Sequence, residues 1–179
     1  MADRPLVTGS FADADSADRT YASFRERGYT DDDIHVMMSD DTKQKYYSRP
    51  DAEIEEGSKA LEGAGTGAAI GGTVGGILGA IAAVGTAIAI PGLGLAIAGP
   101  IAGALAGAGA GGAAGSLVGA LIGAGIPEEH AKAYENDIKD GRIVMGVNSR
   151  DEDRDYFQDQ YTQNGASNVY AGDPASRPM

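Results

Sequence analysis

The chain has no cysteine and no tryptophan, and from Gly63 to Pro127 it has no charged side chain. Without cysteine there is no disulfide framework, no thiol nucleophile and no thiolate metal site. Cations are scarce as well. Lys and Arg number 14 against 26 Asp and Glu, for a net charge of −12. Duplex nucleic acid is held by clustered Lys and Arg that displace counterions, so no nucleic-acid partner is expected. Met1 to Phe11 lacks a basic stretch followed by an apolar one, so no secretory cleavage is expected. No carboxylate lies between Glu62 and Glu128. That excludes proton transport by a rotor-type helical hairpin, which needs a carboxylate at membrane depth.

What fills the uncharged stretch is glycine on a four-residue ruler. Gly63, Gly67, Gly71, Gly75 and Gly79 form one run, and Gly99, Gly103, Gly107, Gly111, Gly115, Gly119 and Gly123 form a second. Glycine at i, i+4 and i+8 leaves a bare groove along one helix face, into which a second backbone can pack. The spacing predicts two helices, the first to about Ile90 and the second from about Leu95 to Gly125. A turn at Pro91-Gly92-Leu93-Gly94 joins them into a glycine-zipper hairpin. About 28 helical residues from Gly63 reach roughly 42 Å, more than the ~30 Å of a hydrocarbon core. Yet Ala106 to Ser116 holds nothing larger than serine, and such a helix gains little from facing lipid. Two settings follow from the same pattern: a membrane hairpin, or the buried core of a soluble homo-oligomer. A flexible linker fits worse, because linkers are rich in Ser and do not carry large aliphatics such as Ile77, Leu78 and Leu121.

The flanks read as the two halves of an acidic α+β domain. In residues 1–40, Leu6, Val7 and Phe11 suggest a strand. Asp13 suits a helix cap, and Ala14, Ala17, Tyr21 and Phe24 recur at helical spacing before Gly28. Ile34 to Met38 reads as a second strand. In residues 126–171, Pro127-Glu128-Glu129 suits a helix start. A strand is expected at Ile143–Val147, a helix carrying Phe157 and Tyr161 ends at Gly165, and Val169-Tyr170 suggests a last strand. Asp18-Arg19-Thr20-Tyr21 is weakly echoed by Asp153-Arg154-Asp155-Tyr156. The expected fold is a ferredoxin-like βαβ…αβαβ sandwich, with its helices on one face. The glycine hairpin of residues 63–125 interrupts it. Residues 41–62 are a polar linker that turns helical toward its end, and 172–179 form an unanchored tail.

This layout resembles the bacterial general stress protein family with the heat-induced YflT-type (17M-like) domain. The resemblance rests on Val7-Thr8-Gly9-Ser10-Phe11, Arg27-Gly28-Tyr29, the glycine hairpin, the junction Gly123-Ala124-Gly125-Ile126-Pro127-Glu128-Glu129, and Ile143-Val144-Met145-Gly146-Val147. It spans about residues 5–170. It implies a stress-associated bacterial protein and supplies no catalytic residues.

Chemistry is otherwise thinly signalled. Gly107-Ala108-Gly109-Ala110-Gly111-Gly112 has no preceding strand and reads as helix, not as a dinucleotide loop. His35 and His130 are far apart; the first is expected to line a strand and the second an open helix face. Asp31-Asp32-Asp33 and Asp151-Glu152-Asp153 lack the spacing of a calcium loop and suit solvated turns. Lys43, Lys45, Arg49 and Lys59, interleaved with Tyr46 and Tyr47, are the densest basic patch. They would touch lipid headgroups and keep that flank on the cytoplasmic side of an inner membrane. The expectation is a non-enzymatic protein without cofactor or metal that assembles with itself through the hairpin. Membrane attachment is its first setting, and a soluble cytoplasmic assembly or a ligand-sensing domain are the alternatives.

Overall fold

The computed structural model describes residues 4–47, 88–90, 94–102 and 117–172. They form a mixed α and β domain around one antiparallel sheet. The elements are β1 (Leu6–Phe11), α1 (Ala14–Glu26), β2 (Ile34–Ser39), α2 (Asp40–Tyr47), β3 (Ile88–Ile90) and β4 (Leu95–Ala98). After these come α3 (Leu117–Gly123), α4 (Glu128–Lys139), β5 (Ile143–Asn148), a 3-10 turn at Asp151–Asp153, α5 (Arg154–Gln163) and β6 (Ser167–Ala171). The sheet has six strands in the order β3-β4-β2-β5-β1-β6. β5 lies between β1 and β2, pairing Val7 with Val147 on one side and Val36 with Met145 on the other.

Local signals set most of these elements. Asp13 accepts the Ser16 N–H at 2.8 Å and caps α1. Ala14, Ala17, Tyr21 and Phe24 form its buried stripe. Gly28, Gly141 and Gly165 follow helices at φ +83°, +83° and +77°, the left-handed stop that costs glycine no Cβ clash.

Helices cover both faces, not one. On the first face Val7, Phe11, Val36, Met145 and Val147 pack with Phe24 of α1 and with Phe157 and Tyr161 of α5. On the second, Leu6, Met37, Ile97 and Val144 pack with Leu117 and Leu121 of α3 and with Tyr134 and Ile138 of α4. Strands buried on both faces read as near-continuous apolar runs. Ile34-His35-Val36-Met37-Met38 and Ile143-Val144-Met145 carry that signal.

The tip of the expected helical hairpin is the larger departure. Ile88–Ile90 and Leu95–Ala98 are strands, with Ile90 opposite Leu95 and Ile88 opposite Ile97. β4 then pairs with β2, Ala98 opposite Val36 and Leu95 opposite Ser39. β2 needs a partner on its outer side for its backbone N–H and C=O groups. An Ile-Ala-Ile segment and a Leu-Ala-Ile-Ala segment that follows it after four intervening residues supply one. The two glycine runs are therefore divided by a β-hairpin sewn to the sheet. A helix also begins at Asp40, where a polar linker was expected. Its Thr42 N–H donates to Ser39 Oγ at 3.1 Å, and its Thr42 Oγ1 donates to the Gly141 carbonyl at 3.1 Å.

Candidate assembly site

The uncharged segment joins the domain through β4 and the turn after it. Gly99 is buried at φ +94°, and a Cβ there would stand 2.1 Å from the Ile34 carbonyl oxygen. This glycine serves close contact with the sheet, not helix zippering. Two residues on, the Ile101 N–H donates to His35 Nδ1 at 3.2 Å. His35 is almost wholly buried on β2. A ring that accepts at Nδ1 carries its proton on Nε2, and that nitrogen has no bond of normal geometry among the described residues. Burial pushes the His35 pKa down to about 4, against smaller upward pulls from Asn148 and Asp33. The imidazole is neutral and locks the turn at residues 99–102 onto β2.

The segment returns through α3. Leu117, Ala120 and Leu121 are buried and pack toward α4. On a helix, positions 119 and 122 lie opposite that stripe, and 123 lies at its margin, i+3 from Ala120. Gly119 is half-buried and Gly123 is exposed, with no atom within 4 Å of where a Cβ would sit. Beside them Ile122 is 44% exposed, the one large apolar side chain so open among the described residues. Among the described residues α3 thus leaves Ile122 and Gly123 exposed.

Gly99, Gly119 and Gly123 are the only zipper positions within the described residues; Gly63, Gly67, Gly71, Gly75, Gly79, Gly103, Gly107, Gly111 and Gly115 lie outside them. Of the expected headgroup contacts, Lys43 and Lys45 sit on α2. Lys43 is half-buried, and the exposed Lys45 ammonium stands 4.8 Å from the Tyr46 ring centre. Arg49 and Lys59 fall outside the described residues.

Two polar clusters went unread in the sequence because their members are more than a hundred residues apart. Asp153 accepts from Arg27 Nε at 2.8 Å and from the Tyr29 hydroxyl at 2.7 Å, with Arg150 Nε at 3.1 Å. The Tyr29 oxygen in turn accepts the Arg150 backbone N–H at 2.9 Å. The three donors hold the Asp153 carboxyl below the usual range against the opposing pull of desolvation. In the second cluster the Tyr134 hydroxyl donates to the Asn168 carbonyl at 2.6 Å and accepts from Thr8 Oγ1 at 2.7 Å. Both clusters spend their donors and acceptors on each other, so they tie elements together and present no free nucleophile or base. No group of three or more His, Cys, Asp or Glu among the described residues is placed to hold a metal. His130 is half-buried rather than open, its ring centre 4.9 Å from that of Tyr170. No helix among the described residues is long and apolar enough to cross a membrane.

Compared with family models, curated proteins and solved structures, the chain matches none of them.

Proposed function

We propose that this is a non-enzymatic, self-assembling protein of the general stress type, whose acidic domain displays a glycine-rich segment for contact between copies. The observation that carries the reading is the orientation of α3. It buries Leu117, Ala120 and Leu121 in its own domain and leaves Gly123 open beside exposed Ile122. A helix that uses its large residues at home and leaves a bare position outside is suited to close backbone contact. The domain is read as a ferredoxin-like unit made of β1, α1, β2, β5, α5 and β6. The order β2-β5-β1-β6 supports this, with the glycine segment inserted between β2 and β5.

Lipid belongs to this reading as a surface contact. A helical crossing takes about 20 residues. α2 and β3 belong to one domain, so a segment leaving at Tyr47 and re-entering at Ile88 must come back to the side it left. The uncharged part of that interval, 63–87, is about 25 residues long, enough for one crossing and too short for two. In this reading Lys43 and Lys45 of α2 meet anionic headgroups on the cytoplasmic face.

Light scattering on the full chain and on Gly75→Leu and Gly107→Leu tests the assembly. The wild type is expected to run as an oligomer and both variants as smaller species, because a leucine blocks close approach. A wild-type monomer at all concentrations would sink the reading. Flotation with anionic vesicles, released by salt, is the expected lipid result.

A further inference from the structure

The sheet has two edges, and among the described residues only one of them is closed by side chains. On the β6 edge, the Asn168 carbonyl accepts from the Tyr134 hydroxyl at 2.6 Å and the Ala171 carbonyl accepts from Arg154 at 3.0 Å. Asn168 sits at φ +53°, and the pairing with β1 shifts register between Thr8 and Ser10. Such bends and plugs stop an edge from accepting another strand. On the opposite edge lies β3, and no described residue pairs with its outer side.

The hydrogen-bond phase of β3 follows from one contact. The Asp40 N–H donates to the Gly94 carbonyl at 2.8 Å, which makes that opposed pair a bonded one. Bonded and non-bonded pairs alternate along an antiparallel ladder. Hence Ala96 and Ala98 point their backbone groups toward β2, while Leu95 and Ile97 point theirs toward β3. Their partners Ile90 and Ile88 are bonded inward. Ala89 between them directs its N–H and C=O outward.

We propose that the β3 edge is an interface between two copies of this chain, formed by antiparallel addition of β3 to the β3 of a second copy about Ala89. Three features choose that occupant. The chain carries a net charge of −12, so two copies repel except where charge is absent, and β3 lies inside the uncharged stretch from Gly63 to Pro127. The Ile-Ala-Ile of a second copy is already a strand, whereas the remaining uncharged sequence is mostly Gly and Ala, poor strand formers. The opposite edge is plugged, so pairing through β3 stops at two copies instead of propagating into a fibre. The proposal rests on the self-association reading and adds a backbone contact to it, of the strand-addition kind.

Ala89→Pro tests it on the full chain. Proline removes only the outward N–H and leaves the bonds of Ile88 and Ile90 to β4 in place. Sedimentation against concentration is expected to show at least a tenfold weaker association for Ala89→Pro and none of that loss for Ala89→Val. If Ala89→Pro associates like the wild type while Gly75→Leu and Gly107→Leu do not, the edge is overturned and the glycine reading stands. If Ala89→Pro dissociates and the glycine variants do not, the edge stands and the glycine reading falls. Amide exchange in the wild type covers the case in which the proline variant does not fold. The Ala89 amide is expected to be protected when concentrated and to exchange faster on dilution. An Ala89 amide equally protected, or equally unprotected, at every concentration overturns the proposal.

Discussion

The two faces of the sheet are built differently. The first face is aromatic: Phe24 meets Phe157 edge-on at 4.8 Å between ring centres, Tyr29 meets Phe157 at 4.8 Å, and Phe11 stacks on Tyr161 at 5.6 Å. Its helices α1 and α5 follow β1 and β5 directly along the chain. The second face is mainly aliphatic, around Leu6, Met37, Ile97, Leu121 and Ile138. Two polar attachments run through it: Tyr134 to Thr8, and Ile101 to His35. Much of this face comes from the uncharged segment and the residues just after it. The first face is a core that local βα units can assemble. The second depends on an inserted segment finding its place on that core, and hydrogen bonds fix where it lands.

The largest break in the comparison is expected from Phe157→Ala on the first face. Three aromatic contacts, with Phe24, Tyr29 and Tyr156, vanish and a cavity opens, at a cost of about 3–5 kcal/mol in urea unfolding. A loss no larger than those predicted below for the second face would show that the aromatic layer is not the main core.

Next comes acid. The ordinary histidine value is 6.5, and His35 is held at about 4 by burial. Between these values the unfolded chain binds a proton that the folded chain refuses. The stability contributed by the neutral ring is complete above pH 6.5, declines as the pH falls, and is lost below about 4. The full span is roughly 3 kcal/mol. Unfolding at pH 7 and at pH 4.5 should show this slope in the wild type and a much flatter one in His35→Gln, which keeps an acceptor for the Ile101 N–H. Equal slopes in the two proteins would mean that burial does not hold the His35 ring neutral.

Gly99→Ala sharpens the same attachment without charge. The new methyl meets the Ile34 carbonyl at a backbone angle that L-residues seldom adopt, so a loss of about 2 kcal/mol is expected. Proteolysis should then cut sooner within residues 99–125 than at α1 or α5. Smallest is Tyr134→Phe, which leaves the buried Thr8 hydroxyl without its acceptor. About 1–2 kcal/mol is expected by thermal unfolding, with the first-face aromatic circular dichroism unchanged.

Much of the first face was legible from the sequence. The Asp13 cap, the stripe Ala14, Ala17, Tyr21 and Phe24, the stop at Gly28, and Phe157 and Tyr161 before Gly165 all arise from contacts within one or two helical turns. The second face was not legible in that way. Leu95 to Ala98 has the composition of the uncharged sequence around it, and the open edge of β2 is what pairs it as a strand. Asp153 looked like part of a solvated acidic turn until Arg27 and Tyr29 closed on it from a distant point in the chain. Gly99 fits the four-residue ruler by position, yet its surroundings give it a different duty.

By itself the sequence determined the acidic charge, the uncharged glycine stretch, the absence of thiol chemistry, and the helices and strands whose caps and stripes are local. Tertiary structure decided that both faces of the sheet are covered and that the glycine runs are parted by a β-hairpin. It also decided that α3 leaves Gly123 and Ile122 exposed and that, among the described residues, side chains plug one sheet edge and not the other. The reason is physical. Helix stripes and caps are short-range and written in neighbouring residues, whereas an unpaired strand edge is satisfied by whichever segment reaches it, and spacing along the chain does not record that choice.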